Sequence, residues 1–204
     1  MTLDSWDRRY LTIAMQISHW SKDPSSKMGA VITNADRRLV ALGFNGFPKK
    51  VGDCQSRLHN KRVKYEIVVH AEANAMLIAG DAAVRGTVYL YGPRPICARC
   101  AGLLIQAGIK RAVAIPPPPC DEIRRKTERD PSQMNWAESG HLALQMFNEA
   151  GIDFEATDNK IAVEETFIEL MNWAERNTEA ADIASKLRDV QQLVSASISF
   201  DMPR

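Results

Sequence analysis

Thr87-Val88-Tyr89-Leu90-Tyr91 reads as a strand, Ala98 to Ala107 as a helix closed by Gly108, and Arg111 to Ile115 as a strand that runs into four prolines, Pro116 to Pro119. A strand, a helix and a strand in that succession imply a right-handed parallel crossover. The flanking segments extend the pattern. Trp6, Tyr10, Ile13 and Ile17 recur at helical spacing and predict a first helix that ends near Ser21-Lys22-Asp23-Pro24. Ala30 to Thr33 and Leu39 to Leu42 predict a hairpin across a short turn-forming stretch, Asn34-Ala35-Asp36. Residues 43–66 are rich in Gly, Pro, Asn and charge without a period, and predict a long loop. Ala71 to Ala79, stopped by Gly80, and Trp136 to Ala150, stopped by Gly151, predict two further helices, and Ile152-Asp153-Phe154 an edge strand. The expectation is an α/β domain over residues 1–156, with helices on both faces of one sheet. Beyond it, Val163, Phe167, Leu170 and Ala174, then Ile183, Leu187, Val190 and Val194, mark a C-terminal extension of two amphipathic helices over residues 157–204.

Length and charge narrow the function classes. A chain of 204 residues fits one domain with an appendage, and its 45% hydrophobic and 25% charged composition is that of a globular protein. No apolar run reaches the eighteen or so residues that cross a bilayer, and the first nine residues carry no secretory pattern, so a cytoplasmic protein is expected. A net charge of +1 argues against a protein that holds nucleic acid by phosphate contacts alone. That total is split: residues 1–120 carry 17 Lys/Arg against 8 Asp/Glu, and residues 121–204 carry 9 against 17. An anionic ligand therefore belongs to the first part.

Four cysteines in such a chain are too few for a disulfide scaffold. Cys97-Ala98-Arg99-Cys100 stands where a strand becomes a helix, and His70-Ala71-Glu72 where the long loop becomes one. A lone C-x-x-C is equally a redox pair, and a lone histidine at a helix start is more often structural. Together, one imidazole and two thiolates supply three ligands of a tetrahedral zinc site and leave the fourth position for water. Cys54, Cys120, His59 or His141 could close the site into a structural one. Glu72 argues for the catalytic form, because a carboxylate two residues beyond the histidine can lie beside the metal-bound water as general acid and base. An H-x-E with a C-x-x-C is the arrangement of zinc nucleobase deaminases. In the basic first part, Lys22, Lys27, Lys49, Lys50, Arg57, Lys61, Arg62 and Lys64 suit a nucleotide, or form a solvated face; Asn45, between glycines, is a ligand or a turn residue.

Over about residues 6–155 the sequence resembles the deoxycytidylate (dCMP) deaminases. The resemblance rests on Ser21-Lys22-Asp23-Pro24-Ser25-Ser26-Lys27-Met28-Gly29, Gly43-Phe44-Asn45-Gly46-Phe47-Pro48, Lys64-Tyr65 leading to His70-Ala71-Glu72-Ala73-Asn74, and Cys97 to Cys100 continuing to Gln106-Ala107-Gly108-Ile109-Lys110. It implies a cytidine-deaminase-like three-layer α/β/α fold with a five-stranded mixed sheet, and hydrolysis of dCMP to dUMP and ammonia, which supplies dUMP for dTMP synthesis. One Zn2+ would be held by His70, Cys97 and Cys100, with hydroxide attacking C4 while Glu72 shuttles the proton. Asn45 would hold the deoxyribose, Ser25, Ser26 or Lys27 would lie near the 5′-phosphate, and Ala71 would join the substrate-binding set. The resemblance also implies a homo-oligomer, usually a hexamer, answering to dCTP and dTTP, with Mg2+ accompanying such effectors. Neither nucleic acid nor membrane is an expected partner. Three departures stand out: Ile96 intervenes between Pro95 and Cys97 where the family has proline directly before the cysteine, Phe44 replaces a common tyrosine, and the two C-terminal helices lie outside the family's common core. Alternative substrates are CMP, dCTP, 5-modified dCMP, guanine, a riboflavin precursor and tRNA adenosine.

Overall fold

The computed structural model describes residues 3–119 and 135–176, with residues 183, 185, 187 and 188. Asp4 opens the first helix by accepting the Trp6 and Asp7 amides, and Asp7 returns a bond to the Asp4 amide, a reciprocal cap that sets α1 at Ser5–Ser18. Its buried face keeps Tyr10 and Ile17 of the predicted stripe but turns away from the other two residues. Leu11, Ala14 and Ser18 face the sheet, whereas Trp6 is 50% exposed and Ile13 half-buried. Close approach explains the rotation: a Cβ on Gly29 would lie 1.9 Å from the Ala14 carbonyl oxygen, so the helix packs through its small residues.

The predicted hairpin forms as β1 (Gly29–Thr33) and β2 (Leu39–Phe44). Asn34 builds the turn by accepting the Asp36 and Arg38 amides. The segment expected to be a long loop instead carries two short helices, α2 (Gln55–His59) and α3 (Lys61–Ile67), with the Asn60 side chain capping the second through the Val63 amide. At five and seven residues they are too short to print an amphipathic period. Next come α4 (Ala71–Ala79), which ends at Gly80 with φ +51°, β3 (Thr87–Tyr91), α5 (Ala98–Gln106) and β4 (Arg111–Ala114). They are followed by α6 (Trp136–Glu149), β5 (Asp153–Ala156) and α7 (Lys160–Arg176).

The sheet runs β2-β1-β3-β4-β5; β1 is antiparallel to β2 and β3, while β3-β4 and β4-β5 are parallel. This is the five-stranded mixed sheet that was expected, and its inner strands alternate between two cores. Ala30, Ile32, Val88, Leu90, Ala112 and Ala114 pack with residues of α4, α5 and α6 on one face. Val31, Tyr89 and Val113 pack with Tyr10, Leu11, Ala14 and Met15 of α1 on the other. Beneath α1, Asp7 is 2% exposed and accepts Arg111 Nη1 and Nη2 at 2.7 and 3.0 Å, Arg37 Nη2 at 3.1 Å and the Tyr89 hydroxyl at 2.9 Å. One carboxylate thus ties the first helix to β3, β4 and the hairpin turn.

The chain divides into two compact units, residues 1–162 and 163–204. In the second, Ala174 is buried with Leu187 against it; Val190 and Val194 of the expected last helix lie outside the described residues, as does Cys120. Among the described residues no helix is long and apolar enough to cross a membrane.

Candidate metal centre and substrate cleft

Two helix starts meet at the edge of the larger core. His70 is the N-cap residue of α4 and Cys97 that of α5, and neither side chain makes a capping hydrogen bond. Both are therefore free to point at a shared site. The missing cap of α5 is supplied from α6, where Ser139 Oγ accepts the Ala98 amide at 3.0 Å. Cys100, three residues after Cys97, falls on the same helical face. α4 is seated by three features: a bridge between Gly46 and Val69, a bond from Asn74 Nδ2 to the Phe44 carbonyl at 2.8 Å, and the bare Cα of Gly43.

His70 Nδ1 lies 3.5 Å from Cys97 Sγ and 3.4 Å from Cys100 Sγ, and all three donor atoms fall within 4.8 Å of one another. Zinc bonds of about 2.0–2.1 Å to nitrogen and about 2.3 Å to sulfur at tetrahedral angles put neighbouring donors about 3.6 Å apart, so this set fits zinc. Its charge points the same way. Cys97 is pushed well below the ordinary thiol range, first by the hydrogen bond from Cys100 and then, against the cost of burial, by His70. Cys100 is driven up by its bond to Cys97 and by burial. Two buried thiols so close can both ionise only with a cation between them, and the helix N-termini that carry them favour that charge.

No other candidate ligand among the described residues joins this group. Cys54 Sγ contacts Ser56 Oγ, His59 Nε2 pairs with Gln55 Oε1, and His141 Nε2 lies 2.9 Å from the Pro118 carbonyl oxygen. Cys97 and Cys100 are free thiols.

A cleft opens beside the donors, lined by Glu72, Asn45, Ser26, Met28, Tyr65 and Arg94 among others. Glu72 is 3% exposed, and burial raises its carboxyl above the ordinary range against the opposing charge of His70. Asn45 is 5% exposed; its Oδ1 accepts the Met28 amide and its Nδ2 donates to the Ser26 carbonyl, each at 2.8 Å. Asn45 therefore lines the cleft and holds the loop beside it. Ser26 faces the cleft, whereas Ser25, Lys27 and Ala71 do not line it. Ser25 Oγ donates to Asp23 and accepts from Lys64, Lys27 is exposed, and Ala71 is fully buried.

Several residues of the cleft escaped the sequence reading. Lys64, counted there with the basic residues, is 2% exposed and bonds Asp23 Oδ1 at 2.9 Å and Ser25 Oγ at 2.7 Å. Trp136 packs on the His70 ring at 5.5 Å, and the Arg94 guanidinium lies 5.7 Å from the Trp136 ring centre. Lys64 and Asp23 both stand in blocks that carry the resemblance, but their pairing leaves no local signal, because it joins segments 41 positions apart; the Gly92-Pro93-Arg94-Pro95-Ile96 stretch that brings Arg94 here does depart from the family pattern.

The family model of the cytidine and deoxycytidylate deaminase zinc-binding region matches residues 4–115, more than half of the chain. The chain belongs to this deaminase family. An uncharacterised deaminase in the luxG 3′ region of Aliivibrio fischeri is 34% identical over 151 residues, covering 74% of this chain and 92% of that protein. The deoxycytidylate deaminase of Mus musculus is 37% identical over 113 residues, covering 53% of this chain and 63% of the mouse protein. The chain thus matches under two thirds of the mouse deaminase's length. In fold, the chain is similar to the dCMP deaminase of the cyanophage S-TIM5 in complex with dCMP and dUMP, with TM-score 0.54, 16% identity, and coverage of 77% of this chain and 100% of that one.

Proposed function

We propose that this deaminase family member is a zinc-dependent dCMP deaminase, converting dCMP and water to dUMP and ammonia. The observation that carries the reading is the His70, Cys97 and Cys100 donor set with the buried carboxylate of Glu72 in the adjoining cleft. The mouse relative's name and the S-TIM5 complex support dCMP as the substrate. His70 Nδ1, Cys97 Sγ and Cys100 Sγ would hold the zinc, and Zn2+ so held lowers the pKa of water from about 15.7 to about 7, which supplies a nucleophile for C4 at neutral pH. Glu72 takes the proton of the attacking water, delivers it to N3 of the ring and assists departure of ammonia. Its burial serves this task, because a raised carboxyl pKa brings donor and acceptor forms closer in energy. Asn45, fixed by its bonds to Ser26 and Met28, offers its second amide proton to the deoxyribose.

The remaining expectations belong to the same reading: residues 1–156 as the catalytic domain with 157–204 as a helical extension outside the family core, a hexamer, a cytoplasmic setting, a role in dUMP supply, and regulation by dCTP and dTTP with Mg2+. A second cavity of about 330 Å³, lined by Phe44, Phe47, Lys49 and Lys50, supports an effector site. Steady-state assays of the zinc-loaded protein test the substrate and its regulation together. The substrates are dCMP, CMP, deoxycytidine, dCTP, 5-methyl-dCMP and guanine, each with and without dCTP or dTTP as effector. We expect dCMP to have the highest kcat/KM; a higher value for guanine or for an unphosphorylated nucleoside would overturn the substrate assignment.

A further inference from the structure

A dCMP substrate brings a dianionic phosphate into the cleft, and among the described residues that line it few cationic groups are open to meet that charge. Lys64 is already neutralised: it is buried, and its ammonium is bound to Asp23 and Ser25. Two of the other basic residues that made the first part of the sequence cationic are also engaged, Lys22 with Asp53 at 2.7 Å and Arg57 with the Gly52 carbonyl at 3.2 Å. Lys27 is exposed and does not line the cleft. Arg94 lines it and makes no ion pair with a described residue. Its guanidinium lies against Trp136, which lies against His70, so a stack of three side chains runs from a metal donor outward along the cleft wall.

We propose that Arg94, held over Trp136, is the residue that binds the substrate's 5′-phosphate and makes this site select a nucleotide over a nucleoside. The inference rests on the dCMP reading and deepens it. Two steps of 5.5 and 5.7 Å join the imidazole, the indole and the guanidinium, so the charge sits beyond the indole from the metal donor, on the wall of the same cleft. Stacking pre-orders the guanidinium fork, which meets two phosphate oxygens at once, something a lysine cannot do. The Ser25-Ser26-Lys27 segment then contributes the cleft floor through Ser26 and leaves the charge to Arg94.

The test compares wild type, Arg94→Gln and Arg94→Lys, all zinc-loaded and full length, in turnover of dCMP and deoxycytidine and in calorimetric binding of dUMP and deoxyuridine. Arg94→Gln should lose at least tenfold in kcat/KM for dCMP, chiefly through KM, and at least tenfold in dUMP affinity. It should leave deoxycytidine turnover and deoxyuridine binding within twofold of wild type. Arg94→Lys should recover only part of the loss. Equal losses on nucleotide and nucleoside, or unchanged dCMP and dUMP values, would overturn the phosphate role. The dCMP reading fails separately. If wild type does not turn over dCMP but binds dUMP in an Arg94-dependent way, the phosphate site stands and the reaction is wrong; if wild type binds no dUMP, the proposal falls.

Discussion

Asn45 Oδ1 accepts the Met28 amide at 2.8 Å, so a residue that lines the cleft also fixes the backbone entering β1. The same side chain donates to the Ser26 carbonyl, so truncation strands two backbone groups and removes the amide proposed to meet the deoxyribose. Asn45→Ala should cost about 1–3 kcal/mol for each group left buried without a partner, together with most dCMP turnover. Urea denaturation and steady-state assays would show both losses; wild-type stability would mean that the loop holds itself.

Gly43 lies on β2 where the start of α4 passes. A Cβ there would sit 2.3 Å from the Ala71 carbonyl oxygen and 2.5 Å from the Ala75 amide nitrogen, both backbone atoms that cannot swing aside. Gly43→Ala should destabilise the protein by about 1–3 kcal/mol or more. Because His70 caps α4, it should also weaken zinc retention in competition with a chelator. A variant that melts with wild type and holds zinc as tightly would show that α4 can shift without disturbing the donors.

Asp7 is one of the carboxylates, with Asp4 and Asp23, whose depressed pKa makes the fold sensitive to acid. Burial works to raise its pKa, but the Arg111 guanidinium, the Asp4 amide and the Tyr89 hydroxyl outweigh burial and hold it below the ordinary carboxylate value of 3.8. A carboxyl depressed in the folded state stabilises the protein above its unfolded pKa, and that contribution is lost as pH falls through the folded value. The urea midpoint should therefore fall below about pH 4, and Asp7→Asn should be less stable at pH 7 with a flatter acid limb. An unchanged acid limb in Asp7→Asn would assign the sensitivity to other carboxylates.

Glu72→Gln keeps the shape of the side chain and removes its proton chemistry. One zinc per chain should remain, and kcat should drop by at least about 10²–10⁴. If the variant keeps more than a tenth of wild-type kcat, another group moves the proton.

The fold and the grouping of His70, Cys97 and Cys100 were legible in the sequence for related reasons. The β3-α5-β4 crossover is announced by a β-rich run, a helix closed by Gly108 and a proline stop, all local signals. His70, Glu72, Cys97 and Cys100 lie at helix starts, where short motifs carry fixed geometry. What stayed hidden depends on contacts between distant segments. Lys64 is an ordinary basic residue until Asp23, 41 positions earlier, meets it, and Trp136 looks like the first apolar residue of α6 until it lies on His70. On α1 the helical spacing reveals the buried Tyr10 and Ile17 but not Ala14 and Ser18, which pack by being small and leave no mark in a stripe of large apolar residues.

The central claim is that dCMP loses its amino group at a zinc site built by His70, Cys97 and Cys100. Its most direct test is to follow ammonia and dUMP formed from dCMP by protein of measured zinc content, before chelation, after it, and after zinc is restored. The account predicts one dUMP for each ammonia, activity proportional to zinc up to one ion per chain, loss on chelation and recovery with zinc. Turnover that survives complete zinc removal, or none at one zinc per chain, would contradict it.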